Sequence, residues 1–140
     1  MWDIKDIVFI YDQFMNDEIF LSLGGDIALD TDERIRLVDE MIDSPICDLR
    51  MIKYRGENIG FSRIDKGINF FIFHIYIIES FRNQGFARRE LDCLKNIYGA
   101  TGKKLLIFTI NKKLSAKMRQ EQNFEFINRI DHMDLFELRK

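Results

Sequence analysis

The stretch from Phe70 to Ile110 limits what this chain can fold into more than any other. It is an apolar run, a glycine turn, a helical segment and a second apolar run. Phe70 to Ile78 (FFIFHIYII) is aromatic and β-branched almost throughout, the character of a core strand buried on both faces. Polar residues from Glu79 to Gln84 break the run, and Gly85 permits a close turn into Phe86 to Tyr98. There Ala87, Leu91, Leu94 and Tyr98 recur at helical spacing. A strand that passes through such a turn into a helix leaves several amide N–H groups without acceptors at one spot. The positive end of the helix dipole lies behind them, so the spot suits a phosphate.

The remaining segments read as support for this unit. Asp3 to Leu23 carries Ile4, Ile7, Val8, Tyr11, Phe14 and Met15, then Ile19, Phe20 and Leu23, at the spacing of one amphipathic helix or a bent pair. A short first strand near Met1 to Ile4 is an alternative for its start. Gly24-Gly25 ends the segment, and Thr31, Asp32 and Glu33 mark the next helix, with Ile35, Val38, Met41 and Ile42 as its buried stripe. Ser44-Pro45 closes it. Cys47 to Tyr54 and Ile59 to Ile64 form a hairpin about Arg55-Gly56-Glu57-Asn58. A second turn, Asp65-Lys66-Gly67, leads into the core strand and completes an antiparallel meander.

After the helix, Gly99 to Gly102 is a stop and Lys104 to Ile110 (KLLIFTI) a buried strand, parallel to the core strand through a right-handed crossover. Asn111 to Gln122 is a polar helix with a thin stripe of Leu114 and Met118. Phe124 to Ile130 and Met133 to Leu138 are two last strands about Asp131-His132. The expectation is a single α/β domain over residues 1 to 140, a mixed central sheet with flanking helices.

With 140 residues, 46% of them hydrophobic, the chain holds one sizeable core. A net charge of −2, with the signs interleaved, gives no footprint for nucleic acid. The two cysteines, Cys47 and Cys93, form no metal-ligand pattern and no disulfide framework, so no metal is expected and a reducing compartment is. No signal peptide is visible, and the longest apolar run is less than half a membrane span. These features point to a soluble cytoplasmic protein without a membrane partner.

The order of segments, with Arg82-x-x-Gly85-x-Ala87 between the third strand and its helix and Asn111 straight after the next strand, resembles the GNAT superfamily of acyl-coenzyme A-dependent N-acyltransferases. The resemblance runs over nearly the whole chain. It implies acetyl-coenzyme A as cosubstrate, an amine acceptor that is a small molecule or a protein, and a homodimer, which such domains often form. It places the pyrophosphate on the backbone N–H groups of Asn83, Gln84, Gly85, Phe86, Ala87 and Arg88, with Arg82 and Arg89 beside them. The pantetheine arm would pair, like an added strand, with main chain at Ile75, Tyr76 and Ile77. Asn111 would lie at the ligand end of the sheet or cap the following helix.

Members of the superfamily often carry a base on the core strand and a tyrosine on the helix after the parallel strand. Here Phe71 and Phe73 hold the base positions, and His74 lies one residue off, on the other face unless a bulge shifts the register. Arg119 stands where the tyrosine would be, while Tyr76 and Tyr98 are the tyrosines that could replace it. Catalysis would then rest mostly on positioning and on a backbone N–H that stabilises the oxyanion. The competing reading is a coenzyme A-binding or regulatory module of the same fold. The acceptor is unread: the regions that would select it, Asp17 to Ile46 and the last hairpin, contain no motif.

Overall fold

The computed structural model describes residues 2–139. Three helices precede the sheet. Helix α1 (Ile4–Met15) starts from a reciprocal cap in which the Asp3 side chain accepts from the Asp6 N–H and Asp6 from the Asp3 N–H. Asn16 closes α1 and opens α2 (Asp17–Ser22), since its side chain accepts from the Ile19 N–H. The N-terminal segment is therefore the bent pair, and no strand lies among its described residues; Met1 is outside them. Helix α3 (Thr31–Asp43) is capped by Asp30 and Glu33, one residue before the expected start.

Strands β1 (Cys47–Tyr54), β2 (Glu57–Lys66) and β3 (Phe70–Ile77) form the expected meander. The first turn is tighter than the sequence suggests, because Arg55 and Gly56 both take positive φ (51° and 80°) and make a two-residue hairpin loop. Helix α4 (Phe86–Tyr98), strand β4 (Lys104–Thr109), helix α5 (Lys112–Gln120) and the hairpin of β5 (Phe124–Ile130) and β6 (Met133–Leu138) complete the chain. The order across the sheet is β1-β2-β3-β4-β6-β5, and β3 with β4 is its parallel pair.

Helices cover both faces. On one, Ile10, Phe14, Ile19, Phe20 and Val38 of α1 to α3 pack over Phe61 of β2. On the other, Leu91 and Leu94 of α4 and Met118 of α5 pack over Phe71 and Phe73 of β3, Leu105 and Ile107 of β4, and Phe136 of β6. Strand alternation sends Phe71 and Phe73 to this second face and His74 and Tyr76 to the first.

Three of the expected stripes are turned. In α1 the buried residues are Asp6, Ile10 and Phe14, while Ile4, Ile7 and Val8 are exposed. In α3 Arg34 and Val38 are buried and Ile35 and Ile42 are not. In α4 Ala87 is exposed, and Glu90 is buried under a hydrogen bond from Ser62 Oγ (2.5 Å). The physical reason is common to all three: a buried charge with enough partners packs as well as an apolar residue, and spacing alone does not reveal those partners. In α5, likewise, Ser115 joins Met118 in the interior while Leu114 stays exposed.

Candidate active site

The sheet opens into a fork beside the glycine turn. Strands β3 and β4 pair from Phe70 opposite Lys104 to Phe73 opposite Ile107, and there the pairing ends. Beyond that rung β3 stays on β2 as far as Ile77 opposite Gly60, and β4 stays on β6 as far as Thr109 opposite Asp134. The two strands thus part while each keeps its outer neighbour.

The hydrogen-bond phase shows which main-chain groups face the gap. Ile78 N–H donates to the Ile59 carbonyl at 2.8 Å, so alternate residues, Tyr76 and His74, turn their main chain to β2. A Cβ at Gly60 would collide with the Tyr76 carbonyl, which confirms that direction. Ile75 and Ile77 consequently point their N–H and C=O toward β4, where no strand meets them. Of the three expected main-chain sites, Ile75 and Ile77 lie on the open edge. Tyr76 does not; it presents its side chain instead, with the ring 5.8 Å from Phe61 and the Arg82 guanidinium 5.4 Å above it.

At the turn, Asn83 (φ 63°) and Gly85 (φ 86°) are both left-handed, which lets the chain reverse directly into α4. Gly85 is the N-cap and supplies no side chain. The helical ladder begins with Arg89 N–H on the Gly85 carbonyl (3.0 Å), so the amides before it have no acceptor within the helix. No acidic residue stands in the first turn to compete for them. A Cβ at Gly85 would meet nothing within 4 Å, so the space in front of the turn is open.

The turn is anchored from beneath. Phe86 is buried, with its ring 5.1 Å from Tyr54 and 6.1 Å from Phe81. Neither partner was legible as part of a site, though an aromatic residue alone in the polar segment Glu79 to Gln84 is a signal that Phe81 packs. Above the turn, Arg82 Nε donates to the Ile77 carbonyl (2.9 Å) and Gln84 Nε2 to the Ser80 carbonyl (3.3 Å). Ala87, Asn83 and Gln84 are exposed. Arg88 is committed to Glu121 of α5 at 2.8 and 3.1 Å, and Arg89 lies over the Phe86 ring at 5.4 Å. Of these arginines, Arg82 is the one that touches both the turn and the fork.

Asn111 ends β4 and caps α5, its Oδ1 accepting from Leu114 N–H at 3.0 Å. The residues that the resemblance puts at the acid and base positions are otherwise engaged. Phe71 and Phe73 are buried under α4. Arg119 stacks on Phe126 at 3.7 Å and lies 3.7 Å from Asp134. Tyr98 donates to Asp48 at 2.6 Å, at the far end of α4 from the turn. Burial first, and then Asp48, raise its phenol and keep it protonated.

His74 is on the face that alternation assigns it, with no bulge between β2 and β3. Its Nε2 lies 3.3 Å from Asp65 and 3.4 Å from Arg63, its ring stacks on Phe108 of β4, and its Nδ1 finds no hydrogen-bond partner among the described residues. Burial holds the imidazole below its ordinary value, against the pull of Asp65.

No family model and no curated protein matches the sequence. Solved structures do match. An acetyltransferase from Thermus thermophilus superposes with a TM-score of 0.71 at 14% identity, covering 95% of this chain and 90% of the other. The spermidine N-acetyltransferase of Vibrio cholerae, in complex with CoA and spermine, gives 0.71 at 16% identity, covering 98% and 90%. The PaiA N-acetyltransferase of Thermoplasma acidophilum, in complex with coenzyme A, gives 0.70 at 9% identity, covering 99% and 96%. The forked, mixed sheet with helices on both faces is the fold of the GNAT acetyltransferases. Among the described residues no helix is long and apolar enough to cross a membrane.

Proposed function

We propose that the protein is an N-acetyltransferase that moves an acetyl group from acetyl-coenzyme A to a primary amine. The observation that carries this reading is the conjunction of the fork and the turn. Main chain of Ile75 and Ile77 that no strand meets lies at the end of β3, which Arg82 ties through the Ile77 carbonyl to the uncapped start of α4. The amides of Asn83 to Arg88 would hold the pyrophosphate, with the helix dipole behind them. Ile75 and Ile77 would pair with the pantetheine arm as an added strand does. The Ile75 N–H would face the thioester oxygen and stabilise the charge that develops there as the amine attacks.

Calorimetric titration with acetyl-coenzyme A tests the site. Saturable binding that Gly85→Asp abolishes is the expected result, because the new carboxylate would occupy the phosphate position. Absence of binding at high micromolar ligand would overturn the reading. Transfer is tested separately by mass spectrometry across a panel of polyamines, lysine peptides, free protein N-termini and aminoglycosides. The engagement of Arg119 with Phe126 and Asp134, and the two phenylalanines at the base positions, favour a second reading, a coenzyme A-binding regulatory module. Tight binding with no transfer to any amine in the panel would select it.

A further inference from the structure

Strand β1 ends the sheet on one side, and helices overhang that edge on both faces. Ile7 of α1 and Ile42 of α3 form one wall of a cleft of about 870 Å³, Ile97 of α4 forms the other, and Asp48, Leu49 and Arg50 are its floor. That volume lies within the roughly 300–1,000 Å³ of ligand clefts. Another folded surface cannot reach such a floor. One extended chain can lie along it, with its side chains alternating between the two walls.

The main chain of the floor is open to such a guest. Lys66 N–H donates to the Ile46 carbonyl at 2.8 Å, so Asp48 and Arg50, two and four residues on, turn their main chain inward to β2. Leu49 and Met51 therefore turn theirs outward into the cleft, where no strand of the described chain meets them. Unpaired N–H and C=O groups on a strand edge invite another strand.

The side chains of the floor set what kind of chain fits. Asp48 and Arg50 lie on the α4 side, where Asp48 accepts from Tyr98 at 2.6 Å and pairs with Lys66 at 3.0 Å, and Arg50 donates to Glu90 at 3.3 Å. Their side chains remain 39% and 35% exposed, so each can take a further partner of opposite charge from the cleft. Leu49 points to the other wall, beside the exposed Ile7 and Ile42. That side selects apolar residues.

We propose that this cleft binds an extended segment of another protein, which adds antiparallel to β1. Its apolar residues face α1 and α3, and on the α4 side it sets a lysine or arginine opposite Asp48 and a carboxylate opposite Arg50. In this arrangement one apolar residue of the segment exchanges both main-chain bonds with Leu49. The two charged residues then stand in the non-hydrogen-bonded positions, where facing side chains are closest. Read from its N-terminus, the segment runs apolar, acidic, apolar, basic, apolar.

The charge order follows the gradient of the cleft. Asp39 and Asp43 of α3 stand at the same end as Asp48, so the basic residue of the guest meets the acidic end. The proposal does not rest on acetyl transfer, because β2 and β3 separate the cleft from the fork.

Calorimetry of the wild-type chain with synthetic peptides, blocked at both ends, tests the proposal without altering the protein. Thr-Val-Glu-Val-Lys-Val-Thr is expected to bind saturably. Its charge-exchanged counterpart, Thr-Val-Lys-Val-Glu-Val-Thr, sets like charges against Asp48 and Arg50 and is expected to bind at least about fivefold more weakly, a difference that high salt removes. N-methylation of the central valine deletes the donor facing the Leu49 carbonyl and is expected to abolish binding. N-methylation of the lysine, whose amide faces away from β1, is expected to be tolerated. No saturation by the first peptide at millimolar concentration would overturn the proposal, as would equal or reversed affinities of the charge-exchanged pair, or equal effects of the two methyl groups.

Hydrogen exchange of the wild type, followed amide by amide, locates the peptide. Added peptide is expected to slow the outward amides of Leu49 and Met51 and to leave Asp48 and Arg50, already turned to β2, as they were. Binding that leaves Leu49 and Met51 unprotected would overturn the pairing with β1.

Discussion

Arg82 Nε donates to the carbonyl of Ile77 over 2.9 Å, joining the first residue of the glycine turn to the last residue of β3. The same guanidinium covers the Tyr76 ring at 5.4 Å. One side chain thus fixes the distance between the glycine turn and the open strand edge, which a ligand spanning both would have to match. A charge-assisted hydrogen bond contributes about 1.5–3 kcal/mol. Arg82→Ala is expected to weaken acetyl-coenzyme A binding roughly tenfold to a hundredfold. Arg82→Lys keeps the charge but not the planar fork and should fall between the two. Calorimetric dissociation constants for the three proteins check this, and equal affinities would mean that the turn is positioned without Arg82.

Gly60 lets β2 approach the free end of β3. A Cβ there would collide with the Tyr76 carbonyl and come within 3.1 Å of Ile77 Cα, both of them backbone that cannot rotate aside. Gly60→Ala is expected to destabilise the fold by about 1–3 kcal/mol, the usual cost of overpacking. It is also expected to weaken binding of acetyl-coenzyme A, because Ile77, one of the two displaced residues, faces the fork. Urea unfolding reads the first effect as a lower midpoint at unchanged slope.

The sheet and the turn were legible because they rest on local signals. FFIFHIYII and KLLIFTI are strands by composition, and Gly85 is required by a left-handed backbone. The fork was not legible from the residues themselves. Phe73 and Ile75 are equally apolar, and the loss of pairing between them comes from where β4 and β6 lie. The resemblance to a known superfamily supplied only the expectation of main chain open to a ligand there, and it also brought Tyr76 into that set, which the hydrogen-bond phase removes. The helices were legible as helices but not in rotation, because the residues that set their faces, Asp6, Arg34 and Glu90, are charged. Their burial depends on distant partners, Asn58, Phe14 and Ser62 among them.

Arg34 shows the strength of such a partner set. It is buried at 5% exposure and donates to the carbonyls of Phe14, Met15, Ile27 and Leu29 and to Asp17 at 2.7 Å. It therefore binds together α1, α2 and the loop before α3. Removing it strands several carbonyls, each worth about 1 kcal/mol. Arg34→Ala is expected to destabilise the protein by about 2–4 kcal/mol, and Arg34→Lys nearly as much, since one ammonium cannot reach the same fork. Thermal melts of the two variants side by side measure it; recovery of wild-type stability by lysine would assign the effect to charge alone.

The acid limb of stability has two separable origins. The hydrogen bonds from Arg129 (2.7 Å) and Ser115 (2.5 Å) hold the Asp134 carboxyl at about 2, below its ordinary 3.8. Burial opposes ionisation of Asp65, but His74 and Arg63 outweigh it and bring that group also to about 2. A carboxyl lowered by folding stabilises the native state above its unfolded value, and that contribution is lost as the pH falls through the folded one. Burial lowers His74 from 6.5, so the folded chain keeps it neutral and pays to protonate it. Its contribution has the same sign and begins to be lost below pH 6.5. Unfolding free energy should therefore decline in two stages on acidification, first below pH 6.5 and again below pH 4. His74→Gln is expected to flatten the first stage and leave the second. Asp134→Asn should shrink the second while lowering stability at neutral pH, because Arg129 and Ser115 lose a charged acceptor. Urea unfolding from pH 8 to pH 3 resolves the two stages, and a profile that His74→Gln leaves unchanged would remove the histidine from the acid response.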